Sequence, residues 1–326
     1  MAHLAFLSLN ALGHMYPMSS LALHMEKHGH TATFFSIADM EAFLQEAGLK
    51  SVVIGRESFP IGYTPRVFGE LGKLKGQAGV RHTVKLLTDQ VDMHFAELPA
   101  ALRSHGVDLL VIDQLFMGGG TVGDHLRLPY VHVANALLSN REVRVPPMIF
   151  GWGFNTGPLA LMRNRLAYAA IDKMLTPLRS KMDTKRQAWG LPPYRDFPND
   201  VFSARPQICQ QPPSFEYDRR SLPPDFHFVG PLHSPTNRVE VPLPWERLDG
   251  RRLIYAPMGT LQNGMDWVFR TIIEACAGVD AQLVLSLGGN MDPSAFPAPN
   301  GAVVIRFARH SSHCSRKLRS ASLTPA

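Results

Sequence analysis

The first half of the chain alternates short apolar segments with stretches in which apolar residues recur at helical spacing. The apolar segments, which predict strands, cover residues 3–9, 30–37, 51–55, 108–114 and 130–135. The spacing between them predicts helices over 17–27, 38–47 and about 81–105. Strands that alternate with helices favour a parallel sheet covered on both faces, so we predict an α/β, doubly wound fold.

The same alternation starts again after a proline-rich segment. Residues 231–248 carry four prolines and no periodicity, which indicates a linker. Beyond the linker, the pattern predicts strands over 251–260, 281–289 and 302–308 and a helix over 264–277. About 60 residues bury too little surface for a complete domain of this kind. We therefore expect a first domain over 1–232, a linker over 233–249 and a partial second domain over 250–308.

Composition narrows the class of protein. The chain has 326 residues, 45% of them hydrophobic and 18% charged, which is typical of a folded globular protein of about two domains. No apolar run approaches the ~20 residues of a membrane-spanning helix. The first residues lack the basic flank and cleavage site of a signal peptide, so we interpret them as a core strand. Three widely spaced cysteines, Cys209, Cys276 and Cys314, favour a reducing cytoplasm.

The net charge of +6 does not indicate a nucleic-acid partner. Five of the basic residues and no acidic residue lie in the last 26 positions, so the charge belongs to the tail and not to a binding face. The chain contains fourteen histidines, and histidine is a common metal ligand, but none of them stands in an HExxH motif. We expect neither a metal nor a resident cofactor.

Two polar residues follow predicted strands where ligands gather in open α/β sheets. His14 comes directly after the first strand and before Pro17, in a position that suits the first turn of a helix. Asp113 ends the fourth predicted strand. A carboxylate beside an imidazole orients the ring and stabilises its cation, which makes a competent general base. Spacing alone leaves open a capping histidine and an aspartate in a loop.

Three further features each have two interpretations. The glycines 118, 120 and 123 match the GxGxxG dinucleotide fingerprint, but a glycine-rich turn that allows close packing explains them better. The segment 141–200, rich in proline, methionine and aromatic residues, forms either surface loops and a peripheral helix or an adaptable wall for an apolar ligand. Gly259 and Thr260 close a strand, where backbone amides could hold a phosphate, although many strands end this way.

Taken in order, the segments resemble family 1 nucleotide-sugar-dependent glycosyltransferases of GT-B fold, in particular the bacterial macrolide and zeaxanthin glucosyltransferase type. The segments that carry the resemblance are ALGHMYPMSSLALHMEKHGHTATFFS (11–36), DLLVIDQ (108–114), PPSFEYDRRSLPPDFHFVGPL (212–232), YAPMGTLQN (255–263) and AQLVLSLGG (281–289). The resemblance implies a Rossmann-like acceptor domain followed by the start of a nucleotide-sugar domain. It also implies transfer of a hexose, of UDP-glucose type, to a hydroxyl of an apolar small molecule.

The resemblance also assigns roles to residues. His14 corresponds to the base that deprotonates the acceptor hydroxyl, and Asp113 to the aspartate that orients it. Gly259 and Thr260 correspond to contacts of the donor phosphates, and Phe307 to an aromatic side chain on the nucleotide base. The implied reaction is a direct displacement that inverts the sugar and uses no metal.

The tail departs from the resemblance. Family members continue with a donor loop that contains His-Ala-Gly, whereas residues 309–326 match nothing in the family. Read one base earlier, allowed codons for these residues encode PQLALLAKASLCITHAG, so we expect a frameshifted tail and a truncated chain. The alternatives are a truncated, inactive remnant that at most binds the acceptor and, on the glycine triplet, a nicotinamide oxidoreductase.

Overall fold

The computed structural model describes residues 1–74, 76–202, 206–234, 237, 244–259, 265–288, 291–297 and 299–306. The chain divides into two compact units. One consists of Met1–Tyr63 with Val80–Ser234, and the other of Thr64–Gly79 with Pro235–Ala326. The tail that we expect to be frameshifted, 309–326, lies outside the described residues.

The first unit is built on a parallel sheet. Its strands are β1 (His3–Leu7), β2 (Thr31–Ser36), β3 (Lys50–Val53), β4 (Leu109–Asp113), β5 (Tyr130–Ala134), β6 (Gln207–Cys209) and β7 (Phe226–Phe228). They form a seven-stranded sheet in the order β3-β2-β1-β4-β5-β6-β7, and each neighbouring pair is parallel. The strand order runs outward in both directions from β1 and β4, so the predicted doubly wound α/β sheet is confirmed.

Helices connect these strands, and further helices belong to the second unit. Those that the structure describes are α1 (Leu12–Lys27), α2 (Glu41–Glu46), α3 (Tyr63–Lys73), α4 (Gly76–Ser104), α5 (Gly119–Leu126), α6 (Pro158–Ala188) and α7 (Asp266–Cys276). One core cluster joins α1 and α2 to the sheet, where Met15, Met18 and Leu44 pack with Phe6 and Phe34. The two phenylalanine rings stack with their centroids 5.1 Å apart. This packing fixes the start of α1 against the end of β1.

The first half of the sheet agrees with the apolar pattern, and the helices differ from it in three places. One is α5, which the sequence analysis interpreted only as a glycine-rich turn. The five predicted strands are confirmed as β1 to β5 with shorter bounds. The helix predicted from residue 17 begins five residues earlier, where the amides of His14 and Met15 both donate to the carbonyl of Ala11. The start predicted at residue 17 follows from the apolar spacing, whereas Pro17 is the sixth residue of α1. Helix α3 was not predicted, because only Val67 and Leu71 mark its buried face.

The second unit contains a separate, smaller sheet. Its strands are β8 (Leu253–Pro257), β9 (Gln282–Ser286) and β10 (Val303–Ile305), parallel and in the order β10-β9-β8. Helix α7 connects β8 to β9, as predicted, and its Phe269 packs with Leu283 and Leu285. Residues 64–79 also group with this unit, although the sequence analysis placed them in the first domain. Periodicity identifies an apolar helix face but not the part of the chain that covers it.

Among the described residues, no helix is both long and apolar enough to cross a membrane.

Candidate active site

The two candidate catalytic residues lie at the carboxyl ends of adjacent strands. His14 stands in the first turn of α1, directly after β1, and Asp113 is the last residue of β4. β1 and β4 pair in the middle of the sheet, at the point where the chain changes its direction of winding. Loops diverge at such a switch point and leave a crevice, which is where open α/β sheets bind their ligands. The fold therefore brings these two residues together.

The His14 ring and the Asp113 carboxylate are in direct contact. The distance from His14 Nδ1 to Asp113 Oδ2 is 2.6 Å. Because an ionised carboxylate only accepts hydrogen bonds, Nδ1 carries the proton and donates it. The other ring nitrogen, Nε2, is then the unprotonated one and can accept a proton. His14 is 9% exposed and Asp113 is fully buried, so the imidazole separates the carboxylate from solvent.

Other donors hold the Asp113 carboxylate in place. The side-chain amide of Asn135 donates to Oδ2 at 2.9 Å, and the Ser8 hydroxyl donates to the same oxygen at 3.4 Å. The backbone amide of Leu115 donates to Oδ1 at 2.9 Å. A buried carboxylate stays ionised when donors replace its water shell. These donors therefore hold the carboxylate in the position from which it orients the imidazole.

Sequence reasoning missed Ser8 and Asn135. Ser8 follows the last residue of β1, and Asn135 follows the last residue of β5, the strand next to β4. Each is a short polar residue at the end of an apolar strand, and both are buried. That signal is the same one that singled out Asp113. Applied to every strand, it would have marked Ser8 and Asn135 as candidates, although not their contact with Asp113.

A second histidine near Asp113 is in a different state. His132, in β5, is 3% exposed, and burial lowers its pKa to about 4 although Asp113 raises it. His132 is therefore neutral near pH 7.

An apolar cavity of about 210 Å³ lies within the first unit. Helices α4 and α6 and the loop 137–149 supply most of its lining, including Val84, Met148, Ile149, Tyr168 and Met174. The segment 141–200 thus supplies much of the wall of an apolar cavity, as one of its two interpretations predicted.

Two polar side chains, Gln114 and Arg219, hold the wall of this cavity in place through hydrogen bonds and an ion pair. Gln114, the residue after Asp113, donates from its side-chain amide to the carbonyl of Leu137 (3.0 Å) and accepts from the amide of Ser139 (3.2 Å). Arg219 forms a buried ion pair with Glu216 at 3.0 Å and donates to the carbonyl of Asn140. The cavity wall is therefore connected through Gln114 to the strand that carries Asp113.

The donor-binding predictions concern the second unit. Gly259 lies two residues beyond the end of β8, and a Cβ atom built there would meet no atom within 4 Å. Thr260 and Phe307 lie outside the described residues. The assignment of donor contacts to these three residues stays a prediction.

The glycine triplet packs closely against its neighbours. Gly118 precedes α5, and a Cβ on it would lie 2.9 Å from His94 Nδ1. A Cβ on Gly123 would lie 2.7 Å from the ring of Tyr130. The interpretation of these glycines as close-packing residues is confirmed. Among the described residues, no group of three or more His, Cys, Asp and Glu side chains could hold a metal ion.

No protein-family profile matches the chain. Among curated proteins, the chain is 29% identical over 301 residues to a zeaxanthin glucosyltransferase of Pantoea ananas, which covers 90% of this chain and 68% of that protein. It is 26% identical over 306 residues to a 4'-demethylrebeccamycin synthase of Lentzea aerocolonigenes, covering 91% and 72%.

Solved structures agree on the fold. The glycosyltransferase of kitacinnamycin superimposes with a TM-score of 0.65 at 16% identity, and the calicheamicin glycosyltransferase with 0.64 at 18% identity. Each alignment covers 94% of this chain and 71% of the solved chain. The GT-B architecture expected from the resemblance is confirmed.

Proposed function

We propose that the chain is a family 1 glycosyltransferase of GT-B fold and that it transfers a hexose from a nucleotide sugar to a hydroxyl group of an apolar small molecule. The similar curated proteins and solved structures support this proposal. His14 is the general base of this reaction, and Asp113 orients it. The observation that carries the proposal is the 2.6 Å contact between His14 Nδ1 and Asp113 Oδ2 at the switch point of the sheet.

The reaction is a single displacement. His14 Nε2 removes the proton from the acceptor hydroxyl while the acceptor oxygen attacks the anomeric carbon of the sugar. The bond from that carbon to the phosphate oxygen breaks, and the nucleoside diphosphate leaves with the electron pair. Attack opposite to the leaving group inverts the anomeric configuration. The proton remains on His14, where the Asp113 carboxylate stabilises the imidazolium.

The acceptor occupies the apolar cavity of the first unit. Its walls are mainly aliphatic and aromatic, which suits a ligand that is apolar apart from its reacting hydroxyl. The names of the two relatives contain zeaxanthin and demethylrebeccamycin. Gln114 links the cavity wall to β4, so a ligand in the cavity can be positioned relative to Asp113 and the base that it holds.

The donor is a nucleoside diphosphate sugar of UDP-glucose type. Gly259 and Thr260 contact its phosphates, Phe307 stacks on its base, and no metal or resident cofactor takes part. Two solved glycosyltransferases of this fold, SsfS6 of Streptomyces sp. SF2575 and VinC, are complexes with thymidine diphosphate and dTDP, so the base of the donor is part of the test. The protein acts in the cytoplasm.

A transfer assay tests this proposal. The protein, expressed with the alternative reading frame from residue 309, is incubated with UDP-glucose or dTDP-glucose and a hydroxylated apolar acceptor, and the product is analysed by mass spectrometry and NMR. We expect a product heavier by one hexose, with a β-anomeric linkage formed from the α-linked donor. The 326-residue chain is assayed beside it and is expected to form no product. An α-linked product would contradict the inverting mechanism. Acceptor binding without any product would support the alternative, a chain that only binds the acceptor.

A further inference from the structure

The first unit carries an exposed apolar surface beside the cavity. It consists of seven large side chains, each more than a third exposed: Met148, Ile149, Phe150, Phe154, Leu159, Met162 and Leu166. We refer to these residues as the 148–166 patch. Leu159 is 78% exposed and Leu166 67%. Large apolar patches on a protein surface mark sites that bind another apolar surface.

The patch is continuous in space. Leu159, Met162 and Leu166 recur at helical spacing, so they form one stripe along the first half of α6. The Phe150 ring stacks on Trp152 with centroids 4.4 Å apart, and the guanidinium of Arg163 lies 4.5 Å from the centre of the same Trp152 ring. These contacts connect the loop of the patch to the helix that carries its stripe.

The residues around the patch are mainly basic. Residues 143–171 contain three arginines and no acidic residue. Arg165 flanks the stripe, and Lys173 continues it by two turns of the helix; both side chains are exposed. The two acids that border this range in sequence have partners, because Asp172 binds Arg141 at 2.6 Å and Glu142 accepts from the backbone amides of Arg220 and Ser221. The surface therefore combines apolar side chains with a positive rim.

We propose that the 148–166 patch docks this protein on the surface of an anionic lipid membrane. Apolar side chains with flanking Arg and Lys are the combination that binds the interface of a bilayer, where the chains enter the acyl region and the cations meet anionic headgroups. A second protein copy with the same positive rim would add charge repulsion. No transmembrane helix is needed for this mode of binding.

The patch borders the apolar cavity that is proposed to hold the acceptor. Met148 and Ile149 belong both to the patch and to the lining of the apolar cavity. A lipophilic acceptor dissolved in the bilayer can therefore reach the cavity without crossing water. This last step rests on the proposed function, whereas the docking itself does not.

Vesicle sedimentation tests the docking with no donor or acceptor present. The chain is mixed with vesicles of phosphatidylcholine alone or of phosphatidylcholine with phosphatidylglycerol, and the bound fraction is measured. We expect binding to the anionic vesicles that weakens with added salt. The double variant Leu159→Gln/Leu166→Gln is expected to bind ~10-fold more weakly or less. Arg165→Gln/Lys173→Gln is expected to weaken binding to anionic vesicles by ~5-fold or more and to leave binding to neutral vesicles unchanged.

Ile61→Gln is the matched control. Ile61 is also 78% exposed but lies outside the patch, so its replacement leaves vesicle binding unchanged. Circular dichroism confirms that each variant is folded. Equal binding by the wild type and the leucine variant would overturn the proposal, as would absence of binding to anionic vesicles. A dimer in sedimentation equilibrium that the leucine variant disrupts, without vesicle binding, would identify the patch as a contact between copies and would also overturn it. None of these results depends on sugar transfer.

Discussion

At the scale of single residues, the site depends on the fully buried carboxylate of Asp113, which accepts four hydrogen bonds. His14, Asn135, Ser8 and the amide of Leu115 all donate to Asp113. The sequence could identify His14 and Asp113, because both follow apolar strands and belong to residue types that exchange or stabilise a proton. It could not identify the donation from Asn135, because that contact depends on which strand lies beside β4.

Another buried histidine, His94, makes the stability of the protein dependent on pH. His94 is 1% exposed, stacks on Phe116 with ring centroids 3.7 Å apart, and has no hydrogen-bond partner for either nitrogen among the described residues. Burial lowers its pKa from 6.5 to about 3. Below about pH 6.5 the unfolded chain therefore binds a proton that the folded chain does not bind until about pH 3.

We predict that the free energy of unfolding falls as the pH decreases through this interval, by up to ~1.4 kcal/mol per pH unit from His94 alone. His94→Leu removes this contribution, so the slope of stability against pH between 6 and 4 becomes smaller by about that amount. Urea unfolding at several pH values measures the slope. His28→Gln, a change at an exposed histidine, is the control and should leave it unchanged. An unchanged slope in His94→Leu would contradict the assignment of a neutral, buried His94.

At the scale of elements, helix α5 shows why the glycine triplet is there. The helix packs so closely on the sheet that a Cβ on Gly123 would lie 2.7 Å from Cδ1 of Tyr130 and 3.3 Å from Leu110. The Tyr130 ring cannot easily move, because it is buried and its hydroxyl donates to Asp124 at 3.0 Å. The spacing GxGxxG alone did not distinguish this packing role from a nucleotide site, because close approach of a backbone is needed in both.

We predict that Gly123→Ala destabilises the protein by about 1–2 kcal/mol. The clash with Tyr130 costs about 1–3 kcal/mol, and the higher helix propensity of alanine recovers up to about 1 kcal/mol of it. Gly69→Ala is the matched control, since Gly69 also lies in a helix but a Cβ there would meet no atom within 4 Å. It should be neutral or stabilising by up to ~1 kcal/mol. Thermal unfolding compares the two, and equal effects would contradict the packing role.

The elements differ in how well their sequences predict them. Strands β1 to β5 were found because each contains a short cluster of apolar residues, such as 4–7 in β1 and 109–112 in β4. Strands β6 and β7 have three residues each and give no periodic signal, so they were not predicted. Helix α1 was found but begins five residues early, because the contacts of Met15 and Met18 with the core stabilise its first turns in spite of Pro17. The start of α1 therefore depends on contacts with the core, which the local sequence pattern does not contain.

At the scale of the whole molecule, two parallel sheets of the same kind follow each other in the chain, and the alternation of strands and helices predicted both. The chain spans 68% of the length of the zeaxanthin glucosyltransferase that it resembles. The pairing of His14 with Asp113 is a consequence of sheet topology, since β1 and β4 are far apart in sequence and adjacent in space. Only the assumption of a doubly wound order places them side by side before the structure is known.

The most direct measurement of the central claim is the turnover of His14→Ala in the glycosyl transfer assay, made in the protein expressed with the alternative reading frame from residue 309 and compared with the same protein that keeps His14. General base catalysis is worth ~10²-fold or more, so we predict that kcat falls by at least that factor. Asp113→Asn, which keeps the shape of the side chain but loses its charge, is expected to lower kcat by a smaller but still large factor. Circular dichroism of both variants establishes that they are folded. Near-normal turnover by a folded His14→Ala protein would contradict the assignment of His14 as the base.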